Sequence, residues 1–223
     1  MPHNKQSLKI NFNCNNMIDP IKKIILKHPK TAFINQKKIN KEFNTLNFTE
    51  APDFNESLNE YDSFIKILDS FGIDKYFLEK NDSTSIDSIY THDPLVITNK
   101  GVVLCNMGKV NRISESKAIK EFLIELKIPI LGEITSPGKL EGGDIVWINK
   151  RTIAVGTGYR TNNEGIEQLK QILNQPKFYH RSQNYPSKRY QLQYPLEYSA
   201  VSALHFPSVD SRRQALCAYR SHI

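Results

Sequence analysis

The chain has 223 residues, 39% hydrophobic and 24% charged, with 30 Lys+Arg against 23 Asp+Glu for a formal net charge of +7. That length can bury a real core. No apolar run approaches the roughly 18 residues a membrane span needs, and the opening MPHNKQSLKINFNCNNMIDP lacks the apolar core of a secretory leader, so a cytoplasmic protein without a membrane partner is expected.

Three cysteines, Cys14, Cys105 and Cys217, form no CxxC or Cys/His cluster, which argues against a disulfide framework and against a zinc site. The basicity is uneven. Residues 1–174 hold 23 Lys+Arg against 21 Asp+Glu, whereas residues 175–223 hold 7 against 2. The first segment uses 20 Lys and 3 Arg; the second uses 2 Lys and 5 Arg. This change of habit marks 177–223 as a divergent or frameshifted tail, with 1–19 as a flexible N-terminus and 20–176 as the structured body.

Within that body, IKKIILKHP (21–29) reads as a strand stopped by proline. The segment 56–71 places Leu58, Tyr61, Phe64, Ile65, Leu68 and Phe71 at helical spacing, with Asn55 able to cap its start and Gly72 its end. IDKYFL (73–78) reads as a short strand.

An internal repeat follows. HDPLVITNKGVVLCN leads to Arg112, a helix over 115–126 and the strand IPILGEI; GGDIVWINKRTIAVG leads to Arg160 and a helix over 163–173. The turns Asn99-Lys100 and Asn149-Lys150 occupy matching places, and Asp93 and Asp144 open the two hairpins. A ββαβ unit cannot bury its strands alone. Repeated about an axis, such units make an α/β propeller whose polar strand ends face a central channel.

The candidate site residues are Asp87 and Asp93 in SIDSIYTHDP, Arg112, Glu141 and Asp144 in LEGGD, and Arg160 in GYRTN. Taken singly, an acid at a strand end is a turn or cap residue. Asp87 and Asp93, six apart, share one strand face if the strand is regular. Paired carboxylates suit a guanidinium through bidentate, charge-assisted hydrogen bonds, and the arginines suit a carboxylate on the same guest. An arginine-like molecule fits both.

IDSIYTHDPLVIT, Arg112 with Glu115 three residues on, and LEGGDIVWINKRTIAVGTGYRTNNEGIEQL together resemble the guanidine-modifying pentein superfamily. The branch resembled is that of dimethylarginine dimethylaminohydrolase and the amidinotransferases, over about residues 20–174. The resemblance implies a pentein-type α/β propeller of ββαβ units, here incomplete at the C-terminus, and a reaction without metal or cofactor. A cysteine thiolate would attack the guanidinium carbon, and a histidine would protonate the leaving amine and then activate water against the thiouronium intermediate.

By the same resemblance Asp87 and Asp93 would hold the guanidinium and its surroundings. Arg112 and Arg160 would contact the substrate carboxylate or brace the site, and Glu141 would orient the histidine. Asp144 reads as structural. His205, in LHF, 45 residues after Arg160, is the candidate histidine. No cysteine is well placed as nucleophile, so the chain by itself is expected to lack hydrolase activity. The expected function is hydrolysis of methylated arginine to citrulline and amine, with arginine amidinotransferase or deiminase as alternatives. A non-catalytic pentein that binds ribosomal RNA is a third reading; the intact acid and arginine set speaks against it, so nucleic acid is not the expected partner. The oligomeric state is left open.

Overall fold

The computed structural model describes residues 16–174 and 177–181, with Phe12 and Cys14 as single positions before them. His205, Cys217 and the rest of the tail lie outside the described residues. The chain divides into two compact units at Thr91/His92, inside the 20–176 segment expected to be a run of blades.

In the unit of residues 16–91, β1 (Lys23–Leu26) pairs in parallel with β2 (Asp74–Phe77), with Ile24 opposite Lys75 and Leu26 opposite Phe77. A parallel pair needs a long crossover. Here the crossover contains α1 (Pro29–Ala32), α2 (Gln36–Glu42) and α3 (Phe54–Ser70). Only α3 was legible in the sequence, because the first two helices are too short to show a period. The cap of α3 is Asp53, not Asn55: its carboxylate accepts from the Glu56 N–H at 2.8 Å. An acid at the cap with Glu three residues on is the favoured arrangement for orphan N–H groups. Leu68 on α3 packs with Leu26 and Ile73 in one small core. Phe71, expected on the same face, falls at the C-cap and is exposed, and Gly72 beyond it is left-handed (φ 66°) as anticipated. Ala32, Phe33, Ile39, Leu46 and Ile86 form a second core.

The unit of residues 92–179 carries the repeat. β3 (Leu95–Ile97) and β4 (Val102–Leu104) form an antiparallel hairpin, α4 (Ile113–Glu125) crosses over, and β5 (Ile130–Glu133) returns parallel to β4. β6 (Ile145–Asn149), β7 (Thr152–Gly156), α5 (Asn163–Leu173) and β8 (Lys177–Arg181) follow the same order. The sheets run β3-β4-β5 and β6-β7-β8. The architecture is therefore α/β with two successive ββαβ units, as the repeat predicts. α4 begins at Ile113, two residues earlier than expected, while α5 has its expected bounds.

Buried Ile119 and Leu123 on α4, and Ile166 and Leu169 on α5, supply the apolar faces that cover the strands. Among the described residues no helix is long and apolar enough to cross a membrane.

Candidate active site

The two repeat units meet through KLEGGD (139–144), which is bonded on one side to the Asp93 segment and on the other to GYRTN. The RTN residues fasten it in order. Arg160 Nη1 donates to Glu141 Oε2 at 3.1 Å. The Thr161 hydroxyl donates to Asp144 Oδ2 at 2.6 Å and accepts from the Glu141 N–H at 3.1 Å. The Asn162 side-chain oxygen accepts from the Lys139 N–H at 2.8 Å and, as the cap of α5, from the Gly165 N–H at 2.9 Å. One tripeptide thus starts a helix and pins two carboxylates.

On the other side the Gly142 N–H donates to the Asp93 carbonyl at 2.8 Å. In sequence the paired glycines read as a sharp turn that also lets the backbone come close with no side chain in the way. Neither has positive φ; the segment is a single 3-10 turn, Gly142–Asp144, and close approach is what requires them. A Cβ on Gly142 would lie 2.3 Å from the His92 carbonyl oxygen, and one on Gly143 would lie 2.6 Å from Asp93 Oδ1. Glycine is the residue that lets backbone come this near a carboxylate.

Arg112 is fully buried and held by two acids. Nε and Nη2 donate to the two oxygens of Glu115 at 2.9 and 2.8 Å, and Nη1 donates to Asp93 Oδ2 at 2.6 Å. Burial alone would disfavour the charged guanidinium, but Glu115 and Asp93 outweigh it and hold the pKa above its ordinary value. Arg112 thus ties Asp93 to Glu115 through one guanidinium.

Glu141 is 2% exposed, and its second oxygen accepts from the Gly108 N–H at 3.1 Å. Burial pushes its carboxyl above the ordinary 4.5; Arg160 opposes that shift and Asp93 adds to it. Burial likewise raises Asp144, against the Thr161 hydrogen bond. Asp93, Glu115, Glu141 and Asp144 thus gather around Arg112 and Arg160 in one unit, four carboxylates to two guanidiniums. Asp87 is buried in the other unit, in a single 3-10 turn over Ile86–Ile89. It does not share a strand with Asp93, because residues 85–94 fold into turns rather than a ladder.

The sequence reading missed Thr161, Gly108 and Tyr159, although GYRTN was in view; each acts through a hydrogen bond or close approach that no spacing rule reports. Cys105, just after β4, is buried, and its thiol is pushed well above its ordinary value by burial and by Asp93 and Glu141. Among the described residues no group of three or more His, Cys, Asp or Glu is placed to hold a metal ion.

A family model described as arginine deiminase matches residues 84–182. The dimethylarginine dimethylaminohydrolases of Pseudomonas aeruginosa and Streptomyces coelicolor are each 28% identical, over 122 and 121 residues. Over the matched residues the chain resembles the guanidine-modifying pentein superfamily, in its dimethylarginine dimethylaminohydrolase and amidinotransferase-like branch.

The matches take in 55% and 54% of this chain and 47% and 46% of those two relatives, so the chain spans about half the length of the curated relatives it matches. In fold, it is similar to the P. aeruginosa dimethylarginine dimethylaminohydrolase solved as a cysteine-to-serine variant with citrulline. The TM-score is 0.60 at 22% identity, over 74% of this chain and 63% of that one. An amidinotransferase from Microseira wollei gives 0.58 at 14% identity, over 77% and 62%.

Proposed function

We propose that this chain acts on the guanidinium group of an arginine-like small molecule. The observation that carries the reading is the excess of carboxylates around Arg112 and Arg160. Burial raises Glu141 and Asp144, so both are ready to gain from a cationic guest. A planar guanidinium meets carboxylates through paired, charge-assisted hydrogen bonds. In this reading Asp93 holds the guanidinium, Arg160 faces the carboxylate of the guest, and Arg112 fixes the Asp93 carboxylate. Glu141 orients the histidine, for which His205 is the candidate. The two ββαβ units would be blades of the pentein propeller.

The chemistry is attack by a cysteine thiolate and hydrolysis of the thiouronium so formed, giving citrulline and an amine from methylated arginine, or citrulline and ammonia from arginine. Cys105 does not supply the thiolate, because its buried thiol is held protonated. The amidinotransferase among the similar folds supports a second reading, transfer of the amidino group from the same intermediate to an amine instead of to water.

Two assays test this. L-arginine, monomethylarginine and dimethylarginine should raise the melting temperature of the full chain, as any ligand of the folded state does. Failure of all three to stabilise it would sink the guanidine reading. Citrulline release, with and without a primary amine acceptor, then separates hydrolysis from transfer, and salt-dependent RNA binding without arginine stabilisation would point to the non-catalytic alternative.

A further inference from the structure

The two crossover helices of the repeat differ in what they show to water. α5 exposes Asn163, Glu164, Glu167, Gln171 and Asn174, all polar. α4 exposes Ile113, Lys117, Glu121, Ile124 and Glu125. Steps of four, four and three residues put Ile113, Lys117, Glu121 and Ile124 in one stripe along the helix. Ile113 is 50% exposed and Ile124 59%, and Val110, just before the helix, is exposed as well. All four stripe residues also line a cleft of about 520 Å³ between α4 and the ends of β4 and β5. Lys120 beside them is paired with Glu133, whereas Lys117 and Glu121 form no ion pair among the described residues. A lone exposed isoleucine is ordinary. Two at the ends of one stripe, with unpaired opposite charges between them, make a patterned surface.

We propose, independently of the guanidine reading, that α4 is the contact of a two-fold homodimer in which the stripe of one protomer lies antiparallel against the same stripe of its partner. The pattern is self-complementary under that operation, as an isologous interface requires. A two-fold axis midway between Lys117 and Glu121 sets each lysine opposite the partner's Glu121. The midpoints of the Lys117/Glu121 and Ile113/Ile124 pairs differ by half a residue, about 0.75 Å along the helix. One axis therefore brings opposite charges together at the centre and isoleucine against isoleucine at both ends. The ends remove apolar surface from water, and the central charges fix the register. Glu121 and Glu125 would repel a polyanion, so neither nucleic acid nor an anionic lipid surface suits the stripe. One helix pair falls short of the roughly 800 Å² per partner of a standard interface, so the Kd is expected in the micromolar range. The same helix carries Glu115 on its buried side, so the contact lies on the back of the element that holds the Arg112–Asp93 pair.

The test follows the full chain by sedimentation velocity over a concentration series, as wild type, Ile124→Lys, Lys117→Glu, Glu121→Lys, and the last two mixed. The substituted positions are exposed, so each variant keeps the fold, which far-UV circular dichroism checks. Wild type is expected to dimerise, and Ile124→Lys to weaken the dimer about 10-fold or more. Each charge reversal alone sets like charges face to face across the axis and is expected to weaken its own dimer about 10-fold or more. Mixed, an acidic centre meets a basic one, so the two variants form a heterodimer at least as tight as the wild-type dimer.

A chain that stays monomeric throughout the series, a dimer untouched by Ile124→Lys, or a mixture that associates no better than its two components would overturn the proposal. Association into species larger than a dimer that survives all three substitutions would place the contact elsewhere and overturn it as well.

Discussion

Arg112 Nη1 lies 2.6 Å from Asp93 Oδ2, so the acid expected to meet a guest guanidinium already meets one supplied by the chain. The same guanidinium is bidentate to Glu115, three residues on. Asp93 is therefore fixed from one side by Arg112. Arg112→Ala would leave two carboxylates without their buried cation, and breaking such a pair costs about 3–5 kcal/mol. Arg112→Lys should lose most of that as well, since an ammonium cannot span both acids in the fork geometry. Urea denaturation of the full chain measures both; a lysine variant as stable as wild type would contradict the account.

Thr161 joins Glu141 to Asp144 through one hydroxyl. Thr161→Val keeps the shape and removes the donor, leaving a half-buried carboxylate oxygen and a buried N–H without it. The expected loss is about 1–3 kcal/mol, with Thr161→Ser recovering most of it. Denaturant midpoints of the two variants check the order.

Glu141 and Asp144 carry a pH signature. Burial raises both carboxyls in the folded state, so that state binds more protons than the unfolded chain over the interval above their ordinary values. The contribution of Glu141 is complete below its ordinary 4.5 and that of Asp144 below its ordinary 3.8, and each is lost as pH rises through the raised value. The Glu141→Gln variant should lose this downward slope, so the stability difference between variant and wild type shifts in favour of the variant with rising pH in that interval. A guanidinium guest favours the ionised carboxylates, so arginine binding in the same interval should release protons, read by calorimetry in buffers of different ionisation enthalpy.

The glycines make a steric prediction. Gly143→Ala would press a Cβ to 2.6 Å from Asp93 Oδ1, and Gly108→Ala would press one to 2.3 Å from the Arg160 Cα. The first meets a side-chain oxygen that can shift, so it should weaken arginine binding more than it lowers stability. The second meets backbone and should cost about 1–3 kcal/mol of stability. Melting curves with and without L-arginine separate the two effects.

Cys105 should be inert in the folded protein. Its burial and raised thiol pKa predict no labelling by iodoacetamide at neutral pH, and full labelling once urea unfolds the chain. Peptide mapping by mass spectrometry reads the site directly; rapid native labelling of Cys105 would reopen it as a nucleophile.

The sequence by itself determined the repeat. Hairpin, arginine, amphipathic helix and strand recur because each ββαβ unit has the same apolar faces to bury, and period and turn residues record that need locally. α5 was readable to its bounds because Asn162 is a cap, and a cap is a local hydrogen bond. The pairing of acids and arginines was decided only by the tertiary structure. Nothing in the spacing says that Arg112 reaches Asp93, or that Thr161 ties Glu141 to Asp144, because those contacts join residues 17 to 20 apart in the chain, beyond any helical or strand period. The strand imagined through Asp87 and Asp93 failed for the same reason: alternation fixes a face only where a neighbouring strand completes the ladder. The double glycine reads in sequence as a turn that admits close approach; only the three-dimensional structure names an atom it makes room for, Asp93 Oδ1, 50 residues away along the chain.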